Sequence, residues 1–160
     1  MEPSRASESL IAFNPYTDSP GGPMDVIFAI IADSAKVEDG KLNISGIFSC
    51  ISSTAFPALH HEFVLVVRFA IPSVEFSREK AMRLAIVGPG GREAFVAEGK
   101  LEAGVRDKSK AVPPRIMIDQ IIPFQNVVFP EPGAYALHIV AQDETKATVP
   151  ITLALVEKTP

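Results

Sequence analysis

Residues 63–71 read Phe-Val-Leu-Val-Val-Arg-Phe-Ala-Ile, and this stretch decides the fold class. Phe63, Leu65 and Val67 occupy alternate positions and would lie on one face of a strand, whereas Arg68 would lie on the other face. Because successive side chains of a strand point to opposite faces, this alternation predicts a β-strand with one face in the core. Pro72 follows directly and ends the predicted strand.

Seven further segments show short apolar runs separated by turn signals. The other predicted strands are residues 25–35, 41–54, 80–87, 92–102, 116–124, 134–142 and 148–156. Glu38-Asp39-Gly40 and Gly88-Pro89-Gly90-Gly91 mark two of the turns. The 14 prolines and 10 glycines disfavour long helices. The sequence therefore predicts an all-β fold of about eight strands, an antiparallel two-sheet sandwich with immunoglobulin-like or related Greek-key topology.

Two local features refine this architecture. Pro123 makes the strand at 116–124 an edge strand or a bulged one, since a central strand needs that N–H group. Tyr135 follows the Pro-rich corner at residues 130–133. Its hydroxyl either bonds back to the corner backbone, as in the tyrosine corner of immunoglobulin-like sandwiches, or Tyr135 is an ordinary core residue.

The 160 residues correspond to one domain. Residues 1–24 contain four prolines, Gly21-Gly22 and several serines, which predicts a flexible N-terminal tail. Residues 25–158 form the predicted β-sandwich domain. Within the tail, residues 10–13 (Leu-Ile-Ala-Phe) are a candidate docking motif.

Composition excludes several classes of protein. With 15 basic and 19 acidic residues the net charge is −4, which argues against nucleic acid as a partner. No uninterrupted apolar run reaches the ~18 residues of a membrane helix, and the N-terminus lacks the pattern of a secretory signal, so we expect no membrane association and a cytoplasmic location. Cys50 is the one cysteine, so the fold has no internal disulfide.

Four segments resemble a family of uncharacterised bacterial proteins. They are residues 26–35, 39–48, 56–60 and 128–135. The resemblance extends over roughly residues 24 to 157 and leaves the tail outside. It implies a β-sandwich and a bacterial origin, but it transfers no functional residue.

Histidine and cysteine offer few candidate sites. His60 and His61 are adjacent, so on a strand they point to opposite faces, and on a loop they lack a second set of metal ligands. His138 is expected on an outer face, as a surface or interface residue. Cys50 has no basic neighbour that would lower its thiol pKa, so we interpret it as a small apolar strand residue.

The acidic and glycine-rich candidates also favour structural roles. Asp33 is expected to cap a turn at Ser34-Ala35, and Asp119 to face solvent beside Gln120, with a paired-acid hydrolase site as the alternative. Gly88–Gly91 lacks the Gly-Lys-Ser/Thr ending of a phosphate loop, so it predicts a hairpin turn.

A basic cluster in the longest predicted loop consists of Arg106, Lys108 and Lys110, and we interpret it as a solvated loop rather than an anion site. There is no Gly-x-Ser-x-Gly motif. We therefore predict no catalytic, cofactor-binding or metal residue, no cofactor, and a chain that is not an enzyme.

The apolar residues on supposed outer faces point to a different role. The first strand is apolar on both sides, with Val26, Phe28 and Ile30 on one and Ile27, Ala29 and Ile31 on the other; Val64, Val66, Ala134, Ala136 and Val140 extend the pattern. A solvated sheet alternates more cleanly. We expect a non-catalytic protein-interaction or assembly module whose face or edge is covered by a second copy, by another protein or by the tail. The alternative is a small-ligand or carbohydrate-binding sandwich, although the absence of Trp leaves few aromatic platforms for a sugar.

Overall fold

The computed structural model describes residues 24–76, 78–101 and 114–158, and over this part of the chain it forms two β-sheets. The predicted all-β, two-sheet fold is confirmed. Short 3₁₀ turns lie at Ser73–Glu75 and Pro89–Gly91. The described strands are β1 (Asp25–Glu38), β2 (Lys41–Ile47), β3 (Cys50–Ser53), β4 (Ala58–Pro72), β5 (Lys80–Val87), β6 (Glu93–Leu101), β7 (Arg115–Phe129), β8 (Gly133–Ala141) and β9 (Glu144–Leu155).

The first sheet, sheet A, has the strand order β2-β1-β4-β7, and all its pairings are antiparallel. Strand β4 lies in its middle. The inward residues of β4 are fully or almost fully buried, as the alternation predicts: Phe63, Leu65, Val67, Phe69 and Ile71. This row forms one wall of the main core.

The second sheet, sheet B, has the order β3-β9-β8-β5-β6. Its pairings are antiparallel except that β3 runs parallel to β9. Strand β5 has the bounds predicted for it. The Gly88–Gly91 turn is confirmed as the β5–β6 hairpin connection, and the Gly88 N–H donates to the Arg92 carbonyl at 2.8 Å.

The predicted single strand at 41–54 is wrong, because the chain changes sheets within it. Strand β2 belongs to sheet A and β3 to sheet B. Gly46 has φ +73°, and the space a side chain would need there is occupied by the Asp33 carboxylate. Beyond it the Phe48 N–H donates to the Ile31 carbonyl of β1 at 3.2 Å, and the chain enters sheet B at Cys50.

Several strand ends also differ from the predictions; β7, for example, continues to Phe129 instead of ending at residue 124. Strand β1 continues to Glu38, so the turn expected at Ser34-Ala35 does not exist. Strand β4 begins at Ala58, so His60-His61 lies inside the strand rather than before it. Leu155, at the end of β9 beside the short edge strand β3, is 61% exposed.

Aromatic rings join the two sheets in the core. Phe63 of β4 and Phe124 of β7 stack at 4.9 Å, and Phe95 of β6 lies 5.1 Å from Phe124. Phe129 meets Tyr135 of β8 edge-to-face at 5.2 Å. Met24, at the start of the described residues, is fully buried in the same core.

Tyr135 has the geometry of a tyrosine corner. Its hydroxyl donates to the Glu131 carbonyl at 2.7 Å and accepts from the Glu131 N–H at 3.2 Å. The alternative prediction, that Tyr135 is an ordinary core residue without a bond to the corner backbone, is therefore wrong. Gly88 lies against the ring, and a Cβ atom at this position would overlap it.

Two prolines inside strands, Pro123 and Pro150, lie where one side of the strand has no described strand neighbour. Pro123 lies in β7, which has only β4 as a strand neighbour among the described residues, as the edge prediction required. Pro150 lies in β9 before the β3 pairing begins at Thr152. Since the Thr152 N–H donates to Ser49 on the β3 side, the Pro150 nitrogen faces that same side beyond the end of β3.

Candidate functional site: the outer face of sheet A

A second apolar cluster lies on the side of sheet A that faces away from the sandwich interior. We call it the outer patch. Its centre is buried, and its other members are half-buried. The central residues are Ala32, Val64 and Val66, and Phe28, Ile30, Ala35, Leu42, Ile44 and Ile121 pack against them.

The strand register arranges the outer patch in rows across the sheet. Directly opposed residues of antiparallel strands project on the same face, so each row is a line of neighbouring side chains. One row is Ile30, Val66 and Ile121, and the next is Ile47, Ala32, Val64 and Pro123. These two rows form an apolar strip across β1, β4 and β7.

A charged row borders this strip at one end. Arg68 of β4 lies opposite Asp119 of β7, and its Nε and Nη2 donate to the two carboxylate oxygens at 2.6 and 2.9 Å. The Arg68 guanidinium also lies over the Phe28 ring, 5.5 Å from its centroid. Both ion-pair side chains are partly exposed, at 31% and 23%.

A second polar row borders the strip at the other end. Glu62 of β4 lies opposite Gln125 of β7, and both are exposed. Along β4 the outer face therefore reads Arg68, Val66, Val64 and Glu62. An apolar centre with a polar margin is the usual composition of a protein–protein contact surface.

The apolar pattern of the sequence predicts most of this surface but puts Val26 on the same face as Phe28 and Ile30. A β-bulge between Val26 and Phe28 shifts the alternation of inward and outward side chains in β1. Val26 therefore packs against the main core, while Phe28 and Ile30 face outward. Val64 and Val66 lie on the outer face, as expected. A bulge of one residue leaves no composition signal in an all-apolar run, so the sequence could not place it.

The outer face of sheet B is less apolar. Ala134 is exposed, and Ala136 and Val140 are half-buried. His138 lies on this outer face, where its Nδ1 is 3.1 Å from the Thr148 hydroxyl oxygen on β9. These residues do not form a second patch.

A charged groove of about 730 Å³ lies beside the Ser73–Glu75 turn, the β5–β6 pair and the β8–β9 turn. Lys80 is almost fully buried, and its Nζ bonds the Glu75 carboxylate at 3.1 Å. This hydrogen bond is the main cause that lowers the pKa of Glu75, with further contributions from Gln142 and Arg78. Among the residues that the structure describes, four basic and four acidic side chains contact the groove: Arg78, Lys80, Arg83 and Lys100 with Glu75, Glu79, Glu98 and Asp143. Its charges are balanced.

The remaining sequence candidates lie apart from one another. His60 is half-buried, with its ring 5.8 Å from that of Phe48 and 5.6 Å from that of Phe63, whereas His61 is exposed. Cys50 is an exposed thiol in the edge strand β3. Over the ranges 24–76, 78–101 and 114–158, no three His, Cys, Asp or Glu side chains are grouped so that they could hold a metal ion.

The two acidic candidates are not brought together. Asp33 is exposed, and its side chain lies beside Gly46 instead of capping a turn. The Asp119 carboxylate accepts hydrogen bonds from Arg68. Strand β4 lies between their strands. Ala32, the neighbour of Asp33, aligns with Val64, four residues from Arg68 and hence about 13 Å along the strand. The paired-acid alternative therefore has no geometric basis at these two residues.

Some of the sequence predictions fall on residues that the structure does not describe. Residues 1–23 of the predicted tail (1–24), with the candidate docking motif at residues 10–13, and the basic cluster of Arg106, Lys108 and Lys110 lie outside the described residues. In the part that is described, no helix has the length and apolar character that crossing a membrane requires.

The fold and the outer patch define a two-sheet all-β domain with a candidate protein-contact face. Residues 27–154 match the model of a family of unknown function, DUF6941, and the chain belongs to this family. No curated protein matches the sequence.

Among solved structures, the chain is similar to the Pseudomonas fluorescens alkylpurine DNA glycosylase AlkC bound to DNA containing an abasic site analog. The TM-score is 0.45 at 10% identity, and the match covers 84% of this chain and 31% of that chain. The chain thus spans about a third of that protein's length.

Proposed function

We propose that this protein is a non-catalytic interaction module that self-associates through the outer face of sheet A. One observation carries the proposal: the outward side of an antiparallel sheet holds an apolar cluster whose half-buried members, among them Phe28, Ile30 and Ile121, surround a buried centre. Such faces normally carry polar residues, and large apolar patches on soluble proteins are most often contact sites.

A face contact is favoured over an edge contact. The free edge of β7 is interrupted by Pro123 and by Asn126, whose φ is +54°. Proline and irregular backbone are features that protect an edge strand against pairing with another chain. The outer face of sheet A has no comparable protection in its two apolar rows.

The size of the face favours a reversible dimer. Four strands at ~4.8 Å and seven residues at ~3.3 Å give a footprint of roughly 20 by 23 Å. Two such faces bury roughly 900 Å² in total, which is less than stable interfaces bury and fits a weak, transient contact, so we expect a dissociation constant on the order of micromolar or weaker. One exposed thiol in the chain is compatible with a reducing compartment, and we propose the cytoplasm as the location.

The test compares matched substitutions on the two edge strands. Ile121→Asp places a charge in the apolar strip of β7, and Val96→Asp does the same on the outer face of β6 in sheet B. We expect Ile121→Asp to abolish self-association in sedimentation velocity, and Val96→Asp to leave it unchanged. Equal association of both variants and the unmodified chain would rule out this face.

A second candidate function, binding of a small ligand, is favoured by the charged groove. Its volume of about 730 Å³ lies in the range of ligand sites. None of the described residues that line it is aromatic, so this lining offers no stacking platform for a sugar ring. If the groove binds a small zwitterionic compound, Lys80→Met will remove the thermal shift that such a compound causes in the unmodified chain.

A further inference from the structure

The outer half of the β1–β2 hairpin has no third strand beside it among the described residues. Pairing of β1 with β4 ends at Ala32. Beyond it, from Ser34 to Glu38, β1 pairs with β2 alone in the described chain. We call residues 33–46 the arm. A two-stranded hairpin is at best marginally stable on its own in water, so the arm depends on the surface against which it packs.

The arm is apolar on one face and polar on the other. Directly opposed residues project on the same face, and Ala35 lies opposite Ile44. On the same face Val37 lies opposite Leu42. The other face carries polar side chains, which are Ser34, Lys36, Glu38, Lys41, Asn43 and Ser45. The apolar face is therefore the one that needs a cover.

The apolar face of the arm packs on the outer patch of its own chain. Ala35, Leu42 and Ile44 pack against the central cluster of this patch. The members of that cluster are Ala32, Val64 and Val66, which are exposed by 0%, 8% and 0% in the single chain. The arm thus closes part of the outer face, and a second copy reaches its centre only when the arm moves.

The base of the arm is irregular. The β1–β2 register has partners on both sides of Asp33 and Gly46 but none at these two residues, and Gly46 has φ +73°. In an unbroken strand Ala32 and Ala35 would project on opposite faces. Both belong to the outer patch, so the chain turns between them. A few residues that absorb a change of φ and ψ are what a hinge requires, and Asp33 and Gly46 provide such a place.

We infer that two copies of the chain exchange their arms, so that the arm of each copy covers the outer patch of the other. The inference rests on the proposed function and names the element through which the outer face of sheet A binds a second copy. The arm fits the partner's patch because the two chains are identical and the arm fits its own. Reciprocal exchange of one element gives a closed two-fold dimer and leaves no patch uncovered.

Ile47 supplies a contact that the closed chain does not make. It follows Gly46 directly and is 64% exposed. In a reciprocal exchange the two hinge segments pass each other at the two-fold axis, which brings Ile47 of one copy next to the partner's Ile47. The closed chain makes the arm–patch contacts within one molecule, at a high effective concentration, so added contacts of this kind decide whether the dimer forms. A weak dimer is the expected result.

The first test compares two exposed residues. Ile47→Asp places like charges together at the two-fold axis, and we expect its self-association in sedimentation velocity to weaken at least about ten-fold. Leu155→Asp, at the end of β9, changes a side chain of similar exposure, 61%, and should leave self-association unchanged. The midpoint of urea unfolding should stay close to that of the unmodified chain in both variants.

The second test asks whether arm and patch come from different chains. Ile44→Asp impairs the arm, and Val64→Lys impairs the patch. A dimer of either variant alone carries its defect at both contacts. An exchanged dimer with one copy of each variant has one contact between an unmodified arm and an unmodified patch. We expect the mixture to form a heterodimer at concentrations at which neither variant associates.

The outcomes separate this inference from the proposed function. An unmodified chain that stays monomeric contradicts both. If the unmodified chain dimerises and the mixture of folded variants does not associate, only the exchange of arms is overturned. Equal association of Ile47→Asp and Leu155→Asp also overturns the exchange alone. If Ile44→Asp or Val64→Lys does not unfold cooperatively, the comparison of Ile47→Asp with Leu155→Asp decides.

Discussion

Arg68 and Asp119 are 51 residues apart in the chain and directly opposite each other on the outer face of sheet A, joined by two bonds of 2.6 and 2.9 Å. The pair links the central strand β4 to the edge strand β7 beside the apolar rows. It therefore both secures β7 and borders the proposed contact surface.

Removing the Asp119 carboxylate is expected to destabilise the fold measurably. Asp119→Asn leaves Arg68 partly buried without its bidentate acceptor, which should cost about 1 kcal/mol, since the pair is only partly screened by solvent. Urea unfolding measures the difference. Glu38→Gln breaks the exposed Lys36–Glu38 pair and should cost less than about 0.5 kcal/mol. Equal losses for both variants would show that the burial of the Arg68–Asp119 pair contributes nothing.

Gly46 is expected to be intolerant of any side chain. Gly46→Ala imposes φ +73° on an L-residue and pushes its methyl group into the Asp33 carboxylate, so we expect a loss of roughly 2 kcal/mol or more. Gly40 has φ +70° with open space around it, so Gly40→Ala isolates the backbone cost at about 1 kcal/mol. Adding Asp33→Ala to Gly46→Ala should return the loss to that of Gly40→Ala. If it does not, the carboxylate is not what occupies the site.

Tyr135→Phe tests the corner bond without removing the ring. The variant keeps the edge-to-face contact with Phe129 but leaves the part-buried corner backbone at Glu131 without its hydroxyl partner. We expect a loss of about 1–2 kcal/mol at an unchanged dependence on denaturant. A loss below about 0.5 kcal/mol would mean that water replaces the hydroxyl at no cost.

The Glu75–Lys80 pair predicts an acid-sensitive contribution to stability. The pKa of Glu75 is lower in the folded chain than its ordinary value of 4.5, so the unfolded chain binds more protons in this range. The contribution is fully present above the ordinary pKa and is lost as the pH falls through the lowered one. Urea unfolding between pH 7 and about pH 3 should show this loss in the unmodified chain and a smaller one in Glu75→Gln. Glu79→Gln, which breaks an exposed pair with Lys100, should behave like the unmodified chain.

The parts of the fold that depend on local pattern could be predicted from the sequence. The alternation in residues 63–71 identified the inward row of β4, and the Gly88–Gly91 turn and Pro123 defined a hairpin and an edge. Each of these features is encoded within a few neighbouring residues.

The features that depend on distant residues could not be predicted. The change of sheet after Gly46 coincides with the close approach of Asp33 to Gly46 and with the Phe48–Ile31 bond, neither of which is visible in the apolar run at 41–54. The partner of Asp119 lies 51 residues away, so the acid was expected to face solvent. The apolar excess on the outer face was visible, but its arrangement in rows requires the strand register.

Sedimentation equilibrium of the unmodified chain over a wide concentration range tests the central claim most directly. We predict a reversible change from a monomer of 17.2 kDa to a species of twice that mass as the concentration rises through the micromolar range. A mass of 17.2 kDa at every concentration would contradict the proposal that the outer face of sheet A binds a second copy.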